Sequence, residues 1–151
     1  MPARAYPAAP VLAVAGVIVR DARVLLIQRG QPPAAGLWTL PGGAVEAGEP
    51  VRAALIREVR EETGLSVTPG PLVEIFEFLE RDPAGAVQFH YVILDFLAYC
   101  PRADTALAAS DAAALAWVGW DRLADYPTTA GLAPVLEKAR RLAAASPPAE
   151  I

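Results

Sequence analysis

The sequence predicts an α/β domain in which helices pack on a mixed β-sheet. Three observations lead there. Runs rich in Val, Ile, Leu, Phe and Tyr recur at strand length between turn residues. Two other segments carry their apolar residues at helical spacing. The two kinds of segment alternate irregularly, without the βαβ rhythm of an all-parallel sheet.

Residues 12–20 and 24–29 read as two strands joined through Asp21-Ala22. Residues 31–48 are dense in glycine and proline and predict mainly loop, with a short strand at 37–40. Residues 50–63 read as a helix, with Pro50 in the first turn, where its missing N–H costs nothing, and Gly64 just past the end. Residues 72–80 and 87–99 read as strands connected through Arg81-Asp82-Pro83-Ala84-Gly85. A short strand at 115–120 and an Ala- and Arg-rich helix at 132–145 complete the pattern. One domain is expected over 11–145, with flexible Pro- and Ala-rich tails at 1–10 and 146–151.

A chain of 151 residues is the size of one ordinary domain, and 54% hydrophobic against 20% charged residues is enough for a core. A net charge of −4 and a pI near 5.0 argue against a protein that grips a nucleic-acid backbone. A small phosphorylated substrate stays compatible, because metal ions neutralise its charge locally. Cys100 is the only cysteine and His90 the only histidine, so neither an internal disulfide nor a Cys- or His-based metal site is available. The apolar run 11–19 is interrupted by Gly16 and is too short to span a bilayer. A cytoplasmic protein with no membrane partner is expected.

The helix at 50–63 holds the chemistry. At about 100° per residue, Glu58, Glu61 and Glu62 share an arc of roughly 100° beside the apolar stripe Leu55, Ile56 and Val59. For helix stability this is a poor arrangement. Glu58 and Glu62 are like charges at i,i+4, costing a few tenths of a kcal/mol. Glu61 and Glu62 also sit in the last turn, where the dipole disfavours anions by roughly 0.3–1 kcal/mol each. A divalent cation would remove both penalties, and a set of hard oxygen ligands suits Mg²⁺ or Mn²⁺ rather than Zn²⁺. The competing reading is a solvated charged face partnered by Arg57 and Arg60.

The surroundings decide between them. Gly43, Glu49 and then Arg57-Glu58-Val59-Arg60-Glu61-Glu62-Thr63-Gly64-Leu65 follow, without a gap, the pattern G-x5-E-x7-R-E-U-x-E-E-x-G-U, where U is bulky and aliphatic. Seven fixed residues at fixed spacing arise by chance on the order of once in 10⁹ positions at typical residue frequencies. The stretch resembles the Nudix box, and the preceding Gly36-Leu37-Trp38-Thr39-Leu40-Pro41-Gly42 resembles its usual lead-in. The likeness is strongest over residues 36–65 and looser over 11–142.

The resemblance implies a Nudix-type α/β/α sandwich and a Mg²⁺- or Mn²⁺-dependent hydrolase of pyrophosphate bonds in small nucleotides. It implies that Glu58, Glu61 and Glu62 bind metal, joined by the backbone carbonyl of Gly43. Glu49 and Arg57 would pair and hold the loop–helix junction, with Glu49 reaching a metal through water. It also implies that Arg29, at the end of the second strand, contacts substrate phosphate. Arg81, in a segment similar to one in the bacterial ADP-ribose pyrophosphatase-like branch, is a second candidate for substrate binding.

One feature departs from the family. Relatives often carry an acid shortly before the tryptophan of the last strand, and here alanines stand between Asp111 and Trp117. Asp111 is the nearby candidate for general base, and a turn or cap role suits it equally. Trp38, Trp117 and Trp120 could stack on a base, but strand tryptophans are usually core. The expected substrate is ADP-ribose or a nucleotide sugar. Ordinary or oxidised nucleoside triphosphates are the alternative, followed by a catalytically inert nucleotide-binding domain. A homodimer is compatible with the resemblance, although no sequence feature marks an interface.

Overall fold

The computed structural model describes residues 4–101, 105–106 and 112–145, the side chains of Ala112 and Ala113 excepted. Its elements are β1 Val11–Arg20, β2 Arg23–Arg29, β3 Trp38–Thr39, β4 Gly42–Ala44, α1 Val51–Thr63, β5 Thr68–Arg81, β6 Val87–Tyr99, β7 Ala112–Gly119, a 3-10 helix Trp120–Asp125, and α2 Leu132–Ala145.

The sheet is mixed. β1 runs parallel to β6 from Val11↔Tyr91 to Ile18↔Ala98, and the β5–β6 hairpin is antiparallel. β1 meets β2 only at its far end, Val19↔Val24 and Arg20↔Arg23. From there the two strands splay. The near half of β1 pairs with β4 instead, through Ala13↔Ala44 and Ala15↔Gly42, while β2 pairs with β3 and β7. This divergence opens the cleft described below.

Strand alternation supplies a core on each face. Val14 and Ile18 pack with Leu55, Val59 and Leu65 on the α1 side. Ala15 and Val17 pack with Leu132, Val135 and Leu136 on the α2 side. The expected α/β/α sandwich is the observed one. No helix among the described residues is long and apolar enough to cross a membrane.

Several boundaries differ from the sequence reading, among them the start of β7, at Ala112 rather than 115. β4 falls inside the expected loop, because its glycines are poor strand formers and β1 alone dictates the extended form. A Cβ on Gly42 would collide with the carbonyl of Val14, so this strand lies closer to β1 than any side chain permits. β5 begins at Thr68 rather than 72, across Pro69 and Pro71; it lies at the sheet edge, where missing N–H donors do no harm, and its register shifts there. Pro50 is the residue capping α1, not one inside its first turn, and the first helical bond runs from Ala54 N–H to its carbonyl. Trp120 opens a 3-10 helix instead of ending the last strand.

Before β1, the Tyr6 amide donates to the carbonyl of Gln88 and the Tyr6 hydroxyl to Asp82 at 2.9 Å, so residues 4–10 run against the β5–β6 hairpin.

Candidate active site

The loop between β4 and α1 turns through Gly48, at φ +81°, and delivers Glu49 beside the first turns of the helix. There Arg57 gathers the acids of the motif. Its Nε and Nη2 donate to the two oxygens of Glu49 at 2.6 and 2.9 Å, a bidentate pair. Nη1 donates to Glu58 at 2.8 Å and Glu61 at 3.3 Å, and Nη2 also reaches the carbonyl of Ala44 at 3.1 Å. The guanidinium pulls the Glu49 carboxyl down to about 2, and the Arg57 pKa rises in return. One side chain thus ties β4, the loop and α1 together.

The three helix glutamates lie in different environments. Glu61 is exposed, whereas the side chain of Glu58 is largely covered and lies against Gly43, where a Cβ would overlap its carboxylate. Gly43 therefore stands beside Glu58. Glu62 is 4% exposed and accepts a hydrogen bond from the amide of Gly42 at 2.9 Å. Burial drives its carboxyl up to about 7, and the nearby charge of Glu58 adds to that, against the opposing effects of the Gly42 amide and Arg29.

As these side chains stand, no group of three acidic, histidine or cysteine residues among the described residues converges tightly enough to hold an ion. Arg57 occupies Glu58 and Glu61, and Glu62 turns toward β4. The donor set still fits a hard divalent ion. Its members are carboxylates, positive charge is already accommodated between two of them, and the third is buried, with the Gly42 amide as its hydrogen-bond partner among the described residues.

Glu62 also forms part of the wall of a cleft whose empty space, counted together with the volume open to solvent, is about 830 Å³. Ala13 and Ala15 of β1 and Ile93 and Asp95 of β6 line it, with Phe76 of β5 beside them. Arg29, Gly30 and Gln31 come from the end of β2, and Leu132 and Val135 from α2. The segment before α2 is fixed to β3: Trp38 N–H donates to Pro127, Thr129 N–H to Trp38, and the hydroxyl of Thr129 to Thr39 at 3.1 Å. That attachment carries Thr129 and Gly131 into the cleft. A Cβ on Gly131 would overlap the ring of Phe76, so the glycine lets the aromatic wall close against the loop.

Of the two candidate substrate-binding arginines, Arg29 is in the cleft, its Nε bonded to the carbonyl of Pro33 at 2.5 Å. Arg81 is not brought there. It donates to Gly85 within its own hairpin, on the exposed side of β5. The tryptophans also stay out of the cleft: Trp38 packs edge-on to Tyr126, and Trp117 and Trp120 lie under Arg20 and Arg140. His90 lies on β6, 3.6 Å from Glu77. Asp111 lies outside the described residues. Sequence reasoning missed Phe76 and Asp95. The signal for Asp95 was present, as an acid in the middle of the apolar run Val92-Ile93-Leu94-Asp95-Phe96-Leu97.

A family model described as NUDIX domain matches residues 10–139. The chain belongs to that family, the Nudix hydrolases. Members act on small nucleotide substrates and generally use divalent metal ions. It is 43% identical over 88 residues to an ADP-ribose pyrophosphatase of Methanocaldococcus jannaschii, a match spanning 58% of this chain and 52% of that protein. It is 36% identical over 135 residues to a CTP pyrophosphohydrolase of Escherichia coli, covering 89% of this chain and 94% of that one. Among solved structures, a MutT NUDIX hydrolase from Burkholderia pseudomallei superposes with a TM-score of 0.69 at 32% identity, over 86% of this chain and 98% of the other.

Proposed function

We propose that this chain is a Mg²⁺- or Mn²⁺-dependent pyrophosphohydrolase acting on a nucleoside diphosphate linked to a second moiety, with ADP-ribose or a related nucleotide sugar as substrate. The observation that carries the reading is the position of Glu62, which belongs both to the carboxylate helix and to the wall of the apolar cleft. A nucleoside lodged on the apolar floor has its phosphates directed toward the acids of α1. The similarity to the M. jannaschii ADP-ribose pyrophosphatase supports the substrate choice.

Glu58, Glu61, Glu62 and the carbonyl of Gly43 are the residues that would hold the ion. When bound, a divalent ion withdraws charge from phosphoryl oxygens and stabilises the leaving phosphate. The chain's own groups do the rest. Arg29 brings positive charge to the phosphates at the mouth of the cleft. Arg57, bonded to Glu49 and to Ala44, fixes the base of the carboxylate cluster against β4. The apolar walls limit water to the open side, which strengthens every charge interaction inside. In the reaction a water oxygen adds to one phosphorus, the bond from that phosphorus to the bridging oxygen breaks, and the second phosphate departs with that oxygen. From ADP-ribose the products are AMP and ribose 5-phosphate.

A second reading, hydrolysis of a nucleoside triphosphate, is favoured by the E. coli CTP pyrophosphohydrolase, which this chain matches over nearly its whole length. A substrate panel with products identified by mass separates the two. ADP-ribose should give equal amounts of AMP and ribose 5-phosphate, with a kcat/KM well above those for CTP and oxidised dGTP. Rapid pyrophosphate release from triphosphates, with ADP-ribose untouched, would move the assignment to the second reading.

A further inference from the structure

Asp95 has no role in the chemistry above, yet its position is costly. It stands in the middle of β6 with Ala15 as its partner on β1 and Glu74 on β5, and it is 4% exposed. Among the described residues no side chain or amide donates a hydrogen bond to its carboxyl. The facing charges do not compensate it. Glu74 carries the same sign and is itself taken by Lys138 of α2 at 3.3 Å. Buried polar groups are nearly always bonded, so a carboxyl this enclosed must find its partners on its open side. This one lines the cleft.

Its surroundings suit a flat ring. Ala13 and Ala15 leave the floor beside it low, and Phe76, backed by Gly131, provides an aromatic wall. We propose that Asp95 reads the base of the substrate, hydrogen-bonding the amino-bearing edge of an adenine ring that lies between the alanine floor and Phe76. The inference rests on the cleft receiving the nucleoside half of the proposed substrate. Burial, with the charge of Glu74, pushes the Asp95 carboxyl up to about 7. A protonated carboxyl offers a donor and an acceptor side by side. Adenine offers the complement, its exocyclic amino group next to a ring nitrogen. The pair forms without bringing an unneutralised charge into the cleft.

The test uses binding, so that it does not depend on which phosphate bond is cut. Calorimetric titration of the unmodified protein with AMP and with purine riboside 5′-monophosphate, which lacks only the amino group, should give at least ~10-fold weaker binding of the analogue, because the accepting oxygen of the carboxyl is then left unpaired. In Asp95→Leu the two ligands should bind equally, with AMP weakened to the level of the analogue. Asp95→Asn, which keeps a donor and an acceptor, should retain most of the discrimination. A thermal melt of each variant reports folding, and removing an unpaired polar group should leave Asp95→Leu at least as stable as its parent. Equal binding of both ligands to the unmodified protein, AMP binding too weak to measure, or discrimination that survives in Asp95→Leu overturns the inference. If ADP-ribose is not hydrolysed while the Asp95-dependent discrimination is found, only the substrate reading falls. If ADP-ribose is cleaved and Asp95→Leu still discriminates, only this inference does.

Discussion

Replacing Glu62 with glutamine separates the energetic burden of a buried acid from its use. In the folded chain the Glu62 carboxyl is raised from 4.5 to about 7, chiefly by burial. At about 1.4 kcal/mol per pH unit, that difference sets a ceiling on the order of 3 kcal/mol on its effect. The folded form holds its proton more tightly than the unfolded chain does. Stability from this group is therefore fully present below about pH 4.5 and is lost as pH rises through about 7. The glutamine side chain of Glu62→Gln cannot ionise, and its oxygen can still accept from the Gly42 amide. Its new NH₂ needs partners, which costs about 1–3 kcal/mol at every pH.

The quantity to follow is the stability gap between the variant and its parent. Urea unfolding in EDTA at about pH 4 and about pH 8.5 should show that gap moving in favour of Glu62→Gln by up to about 3 kcal/mol. With Mg²⁺ present, kcat should fall at least ~10²-fold, as for loss of one strong electrostatic contact. A gap that does not change with pH would refute the burial argument. Unchanged turnover would show that Glu62 serves neither metal nor substrate.

Five further outcomes rest on the same geometry. Excess EDTA should abolish hydrolysis and leave the circular dichroism melt cooperative, because the apolar stripe of α1 packs without an ion; full turnover in EDTA would refute metal dependence. Gly42→Ala should cost about 2–4 kcal/mol in chemical denaturation, since its Cβ meets the backbone of Val14 and β4 must separate from β1. Gly43→Ala meets only the flexible end of Glu58, so it should lower kcat at least ~10-fold with a small change in Tm; the reverse pattern would disprove that assignment. Arg57→Lys loses the bidentate grip on Glu49 and should reduce both Tm and kcat/KM, whereas Arg81→Ala should leave kcat/KM nearly unchanged.

How much of this was legible in the sequence depends on the range of the forces involved. The helix at 50–63, its glycine stop and the three acids on one side are local matters, set by spacing and by one αL residue at φ +76°. The Arg57–Glu49 pair was likewise carried by a fixed-spacing motif. The paired long strands followed from composition. The tertiary structure decided what depends on contacts between distant segments. β4 exists because β1 imposes an extended register on glycines that have no strand preference of their own. The difference between buried Glu62 and exposed Glu61, adjacent in sequence, comes from where β4 lies. The cleft needs β1 and β2 to part company, the 127–131 segment to dock on β3, and β6 to present Asp95 on the α2 face. Arg29, at the end of a strand, and Arg81, in a connecting segment, were both candidates for substrate binding. Only the strand order puts one inside the cleft and leaves the other in its own hairpin at the sheet edge, because which strands become neighbours is settled by burial of whole faces and not by local sequence.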